Sequence, residues 1–412
     1  MPDLYQRRWM DNLLDEVFVP GGLPAIMLIG ARGTGKTTTA LRHSASAIRL
    51  DRVGEAQAFS LDADAILDAK AKPVLVDEWQ EVPAAVSAIK RAVDSGLGGG
   101  SILVTGSVRA RRTGQSWPGT GRIVPLRMFG LTEAEIAGRT KEPSFIDEVF
   151  SPELEQLPVP QTSIVDNAAR IARGSFPEVL NLGERERSLW YLGYADQLVH
   201  RDIEQLSEIR QTGRLMTLLE AVASVSASTT AISTLANVTG ISTSTTASYL
   251  DLLEDLGLVI RLPAWHNNLL KRLSKSPKIH MTDTGLATQL LGLEANELIA
   301  NGPALGHLLE TFVVMQLMPL LQVSRSRIQA FHLRDQNGRR EIDIILQKAG
   351  GKIVAIEVKA AANVTVSDAR NISWLRNEIG PKFHRGIVLY SGQQQFQMDK
   401  GIWAMPIQTL WS

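Results

Sequence analysis

Gly30, Gly33, Gly35, Lys36 and Thr37 fall in the spacing G-x-x-x-x-G-K-T, directly after the short apolar run 25–29 (AIMLI). Glycines at these positions let backbone N–H groups curl around phosphate oxygens with no Cβ in the way. Lys36 places a charge on the β- and γ-phosphates, Thr37 offers a hydroxyl to Mg²⁺, and Thr34 and Thr38 complete the loop. A second apolar run, 73–76 (PVLV), ends in Asp77 and Glu78. Asp77 is positioned to hold Mg²⁺ through water, and Glu78 to polarise an attacking water. A third run ends at Thr105, Gly106 and Ser107, where a polar side chain beside the γ-phosphate can sense it; Ser and Thr are also ordinary turn formers there. Arg122 opens the next strand. It can act in trans as a finger on a neighbour's phosphate, and a surface arginine reads the same way.

A second constellation lies near the C-terminal end. Residues 340–347 (REIDIILQ) alternate as a strand, 348–351 (KAGG) reads as a turn, and 352–360 (KIVAIEVKA) returns. A three-residue turn at 349–351 pairs 348 with 352, and the same register sets Asp343 opposite Glu357. Asp343, Glu357 and Lys359 then share a face, whereas a turn one residue different splits them. That set is what metal-assisted phosphodiester hydrolysis uses: carboxylates holding Mg²⁺, or Mn²⁺, and a lysine stabilising or activating water. An exposed hairpin with solvated cross-strand ion pairs shows the same pattern. Ile342, Ile344, Ile356 and Val358 make these strands apolar enough to be central, where such polar groups are costly without a partner.

The elements that must position these groups follow from the pattern. Residues 25–29, 73–77 and 101–105 are short apolar runs suited to strands of a parallel sheet covered on both faces, and 37–50 reads as a helix. Residues 140–160, rich in Pro and Glu, read as a linker or surface insertion. From residue 164 to about 220 the spacing is helical. Residues 233–262 read as helix, turn at Gly240, helix and strand, a winged-helix pattern. Its second helix offers Ser and Thr but no Lys or Arg, and Asp251, Glu254 and Asp255 follow, so it reads as a packing module more than a reader of base edges. Residues 259–281 carry Arg261, Lys271, Arg272, Lys275 and Lys278 with no acid, which suits phosphate contact or a solvated loop.

The phosphate loop, the VDEWQ segment 76–80, the VTGS strand end 104–107 and the stretch 121–135 resemble AAA-superfamily ATPases of the archaeal-ATPase-like, STAND-related group. Gly174 to Pro177 is similar to that group's lid motif, which implies Pro177 near the adenine and Arg173 as a second sensor. Asp343, Glu357 and Lys359 resemble the PD-(D/E)XK nuclease core, with Ile342 in place of its leading proline. That resemblance adds Glu310, on a preceding helix, as a further acid. The stretch from Arg261 onward also looks like a domain of unknown function that accompanies these ATPases.

Composition sets the limits. The 412 residues carry 43 basic and 43 acidic side chains and no cysteine. A disulfide scaffold, a thiolate metal site and a cysteine nucleophile are thereby excluded. The seven histidines show no paired ligand spacing. No signal peptide or membrane-length apolar run is read, so a cytoplasmic protein without membrane contact is expected. Residues 1–258 hold 25 Lys/Arg against 32 Asp/Glu, and residues 259–412 hold 18 against 11, balances of −7 and +7. A polyanion should therefore meet the C-terminal part. The expectation is a multidomain α/β chain. It has a P-loop ATPase core over 1–140, a linker and helical lid over 141–222, and a winged helix over 223–265. A restriction-endonuclease-like α/β domain follows over 266–412. ATP and Mg²⁺ are the expected cofactors, and a second copy of the chain and nucleic acid, DNA before RNA, the expected partners. Two functions fit: an ATPase coupled to a metal-dependent nuclease, or a nucleotide switch whose C-terminal domain only binds nucleic acid or protein.

Overall fold

The computed structural model describes residues 5–106, 119–140, 143–154, 161–204, 212–266, 275–335 and 339–412. Ser107, Lys271 and Arg272 lie outside them. Two compact units emerge, Met1–Leu131 with Asp255–Gly257, and Thr132–Glu254 with Leu258–Ser412.

The first unit is a five-stranded parallel sheet with helices on both faces. In chain order it contains helix α1 (Trp9–Val17), β1 (Ala25–Ile29), α2 (Lys36–Arg42), β2 (Ser46–Arg49), β3 (Val74–Asp77), α3 (Ala84–Asp94), β4 (Ile102–Gly106) and β5 (Ile123–Arg127). The strand order is β2-β3-β4-β1-β5. Alternate residues feed two cores. Ala25, Met27 and Ile29 pack with Val76, Val104 and α3 residues Val86 and Ile89. Ile26 and Leu28 pack on the other face with Leu75, Leu103 and α1 residue Leu14. A strand buried on both faces must be apolar throughout, which is why these runs are legible without alternation. One expectation fails here. The helix read over 37–50 stops at Arg42, and Ser46–Arg49 is an edge strand, with Ile48 paired to Val76. A run this short carries no decisive period, and pairing with β3 settles it.

In the second unit, helices α4 (Ile164–Arg173), α5 (Ile232–Thr239) and α6 (Thr243–Asp255) precede a two-stranded antiparallel sheet of β6 (Val259–Leu262) and β7 (Lys278–Met281). Gly240 ends α5 with φ +65°. The β6–β7 pair spans the expected domain boundary at 265/266. Helix α7 (Gly302–Val323), β8 (Ile328–Arg334), β9 (Glu341–Lys348), β10 (Ile353–Lys359), α8 (Arg370–Ile379), β11 (Phe383–Tyr390), β12 (Phe396–Asp399) and β13 (Ile402–Pro406) complete it. The six-stranded sheet has the order β12-β13-β11-β10-β9-β8, so β9 and β10 are interior. Ile353↔Gln347 through Ile356↔Ile344 keep the expected register across the 349–351 turn.

Helix α7 is long and apolar enough, by length and composition, to cross a membrane. No apolar run of that length was expected from the sequence. The α7 side chains, among them Leu309, Phe312, Val313 and Leu317, are buried within the unit.

The stretch expected as a surface insertion also contributes core. Phe145, Ile146 and Val149 are buried on a short helix, Phe145–Val149. Arg385 of β11, itself buried, donates to the carbonyls of Glu148 (3.1 Å), Val149 (3.0 Å), Ser151 (3.1 Å) and Pro152 (3.4 Å). Arg385→Ala leaves these acceptors without their donor, and each buried orphan costs about 1–3 kcal/mol. We expect a loss of about 3 kcal/mol in urea unfolding of the second unit. An unchanged midpoint would show the segment to be peripheral.

Candidate functional site

The phosphate loop joins the C-terminal end of β1, which lies between β4 and β5, to the start of α2. In open parallel sheets, ligands bind beyond the carboxyl ends of the strands. Gly30 is dictated by space as well as conformation: its φ is +149°, and a Cβ there would sit 2.1 Å from the Met128 carbonyl oxygen. Gly33 and Gly35 also have positive φ, +76° and +88°. Thr34 Oγ1 donates to the Ala31 carbonyl at 2.8 Å, while Thr38 faces outward. Lys36 is buried, its Nζ donating to the carbonyls of Gly30 (3.0 Å) and Ala31 (2.8 Å). Burial pulls its pKa down to about 8, with the charge of Glu78 opposing.

The ends of β3 and β4 bring three more side chains together. Thr37 Oγ1 donates to Asp77 Oδ1 at 2.8 Å, and Thr105 Oγ1 donates to the same oxygen. Thr37 and Asp77 can hold Mg²⁺, and these groups fit a nucleotide: oriented loop amides, a buried lysine and a hydroxyl–carboxylate pair. Glu78 follows in the left-handed region at φ +53° and accepts from Gln80 Nε2. Arg122 is exposed and pairs with Asp94 at 2.8 Å.

Sequence reasoning missed Arg8. It is buried and donates to the carbonyls of Thr34 (2.8 Å), Phe129 (2.8 Å) and Gly130 (3.1 Å), tying the phosphate loop to the segment after β5. Nothing in its sequence neighbourhood signals this, since all three acceptors are main-chain atoms.

In the second unit, Gly174 to Pro177 lead from the end of α4 into a short 3-10 helix. Gly174 has φ +75°, and a Cβ there would meet the Tyr191 hydroxyl at 2.0 Å. Asp283 accepts from the Ser175 amide at 2.7 Å, and Pro177 opens a short 3-10 turn. Arg173, expected as a sensor, is paired with Glu133.

The C-terminal carboxylates do converge. After burial, Asp343 has the largest influence on Glu357, and Lys359 Nζ lies 2.8 Å from Glu357 Oε1. Between Phe331↔Ile345 and Leu333↔Ile342 the β8–β9 register slips by one, so β9 bulges at Asp343 and Ile344. Bulges re-aim side chains; Asp343 Oδ2 accepts from the Val358 amide at 2.9 Å. The unexpected member is Lys278 of β7. Its Nζ lies 2.8 Å from Glu310 Oε1, 2.8 Å from Glu341 Oε1 and 3.2 Å from Asp343 Oδ1. It was expected to face phosphate or solvent; instead its side chain is 1% exposed. Arg261, from the same basic run, pairs with Asp251 and Glu254. Burial lowers the Lys278 pKa, but Asp343, Glu310 and Glu341 outweigh it and hold the ammonium charged. Burial, then Asp343, pushes Glu357 up to about 8, and among the described residues its Oε2 has no hydrogen-bond partner. As arranged, these residues do not fit a divalent ion, because an ammonium already stands among the carboxylates. Among the described residues no group of three or more His, Asp or Glu is disposed to hold a metal.

The sheet, the loop and the Thr37–Asp77 pair define a P-loop ATPase domain of AAA type, and residues 23–137 match the family model described as an AAA domain. Residues 166–297 and 305–410 match two further models, each described as a domain of unknown function, DUF8612 and DUF4143. The chain is similar to uncharacterised proteins of Mycobacterium tuberculosis and Mycobacterium bovis, each 24% identical over 388 residues, 93% of this chain and 80% of theirs.

The depressed Lys36 pKa has a measurable sign. Phosphate binding needs the ammonium, so above about pH 8 the free protein must take up a proton to bind. ATP affinity, read by fluorescent-nucleotide titration, should fall by about tenfold per pH unit beyond that point. Lys36→Arg should abolish the slope; a slope that persists in it would assign the effect elsewhere.

Proposed function

We propose that the chain hydrolyses ATP at the loop Gly30–Thr38 and that nucleotide state governs binding of nucleic acid by the C-terminal unit. The observation that supports hydrolysis is the convergence of Thr37 and Thr105 on one oxygen of Asp77, with Glu78 next in the chain. In this reading phosphate oxygens replace the carbonyls that Lys36 now holds. Glu78 orients the attacking water and accepts its proton as the bond from the γ-phosphorus to the β–γ bridging oxygen breaks, releasing ADP and phosphate. Thr37 and Asp77 would hold Mg²⁺, which would supply neutralising charge for the phosphates. Thr105 is the proposed sensor. Arg122 of a second copy is the proposed finger, which requires it to leave Asp94.

Nucleic acid is the partner favoured by the +7 balance of residues 259–412. Cleavage by the same unit is the rival reading. Asp343, Glu357 and Lys359 with Glu310 would carry it, and the unpartnered Glu357 Oε2 speaks for it. The Lys278 ammonium speaks against it, and we place binding first.

Steady-state ATP turnover should drop about 10²-fold or more in Lys36→Ala and in Glu78→Gln. Only Lys36→Ala should also lose nucleotide binding. DNA affinity should differ between ATP- and ADP-loaded protein in wild type. Equal affinity in both states would sink the switch, and Mn²⁺-dependent cleavage abolished by Lys359→Ala would install the rival.

A further inference from the structure

The carboxylate cluster of the C-terminal unit already contains a cation. An ammonium has three donors and no acceptor. Lys278 faces three carboxylates, Glu310, Glu341 and Asp343, at 2.8, 2.8 and 3.2 Å. Two of its donors hydrogen-bond to Glu310 and Asp343 and the third carboxylate, Glu341, pairs with it; the Lys278 side chain is 1% exposed while Glu341 reaches solvent.

Its backbone is equally fixed. Lys278 pairs with Leu262 across the β6–β7 sheet. Two residues along the same strand face, His280 Nδ1 lies 3.2 Å from Thr311 Oγ1. Lys278 and His280 thus meet consecutive residues of α7, Glu310 and Thr311. Ser226 Oγ also contacts Thr311 at 2.9 Å and accepts from the Met281 amide at 3.1 Å. This is a docked strand whose polar side chains all have addresses on α7 and β9.

The other near oxygens are partly engaged: Asp343 Oδ2 accepts from the Val358 amide and Glu357 Oε1 pairs with Lys359. Mg²⁺ or Mn²⁺ prefers about six oxygen ligands in near-octahedral array. An ion set against Asp343 and Glu357 would also face the Lys278 and Lys359 ammoniums, the first of them buried.

We propose that Lys278 is the resident cation of this cluster: β7 delivers its ammonium to the position a divalent ion would need, so the C-terminal sheet binds no metal there. The cluster instead fastens the β6–β7 sheet to α7 and β9. This inference goes beyond the ATPase reading and is independent of it, because its test uses neither nucleotide nor nucleic acid.

The test is Mn²⁺ binding to the full-length chain without nucleotide, followed by electron paramagnetic resonance of free Mn²⁺. Wild type and Asp343→Asn should bind identically, with no Asp343-dependent ion, and Mn²⁺ should leave the wild-type Tm unchanged. Lys278→Met should lower the Tm, because it leaves three carboxylates together without their cation. It should also gain one Mn²⁺ that Lys278→Met/Asp343→Asn does not bind. If Lys278→Met fails to fold, Lys278→Met/Glu310→Gln, which removes one of the orphaned charges, should recover folding. An Asp343-dependent Mn²⁺ in wild type, or an unchanged Tm in Lys278→Met, would overturn the proposal.

Discussion

An ammonium removed from water must be surrounded by acceptors, and the two units of this protein meet that demand in opposite ways. Lys36 is given main-chain carbonyls, of Gly30 and Ala31, which are neutral and can be exchanged for phosphate oxygens. Lys278 is given three carboxylates, which hold it charged and do not let it go. The first arrangement is a poised site with a weakened positive charge. The second is a closed one. Much of the remaining architecture serves these two placements: the parallel sheet that ends at the phosphate loop, and the β9 bulge and β7 docking that surround Lys278.

The contrast changes how the basic character of the C-terminal half is to be read. Its surplus of positive charge is a property of the sequence, but charge acts on a polyanion only where solvent reaches it. Lys278 is buried and Arg261 is engaged by Asp251 and Glu254. Lys275 donates to the Arg334 carbonyl. The described part of the basic run 259–281 is thus largely turned inward or tied down, and a nucleic-acid surface has to draw on residues elsewhere in the unit.

How much was legible in the sequence depended on whether the deciding interactions were local. The phosphate loop was legible because its chemistry is packed into consecutive residues. The β9–β10 register was too, because a three-residue turn and an apolar face leave one pairing that keeps Ile344 and Ile356 inside. Strand β2 was not, since Ser46–Arg49 takes its conformation from β3 and has no periodicity of its own. Nor was the bulge at Asp343, which depends on how β8 lies alongside. Arg8 and Lys278 were illegible for a shared reason: each is a long cationic side chain whose partners come from distant segments. A lysine in a short strand gives no hint of whether it points to water or to carboxylates.

Glu78 has one more property that follows from its backbone. At φ +53° it occupies a region that L side chains enter at a cost of about 1–2 kcal/mol, and which glycine and asparagine enter far more easily. Substitution by Gly or Asn at this position therefore lowers the conformational energy while removing the carboxylate. A glutamate survives at such a point only while something other than folding favours it. Among homologous chains, the identity of this one residue should consequently act as a record of use: glutamate where the site still works on nucleotide, and Gly or Asn where the sheet has been kept for its shape alone.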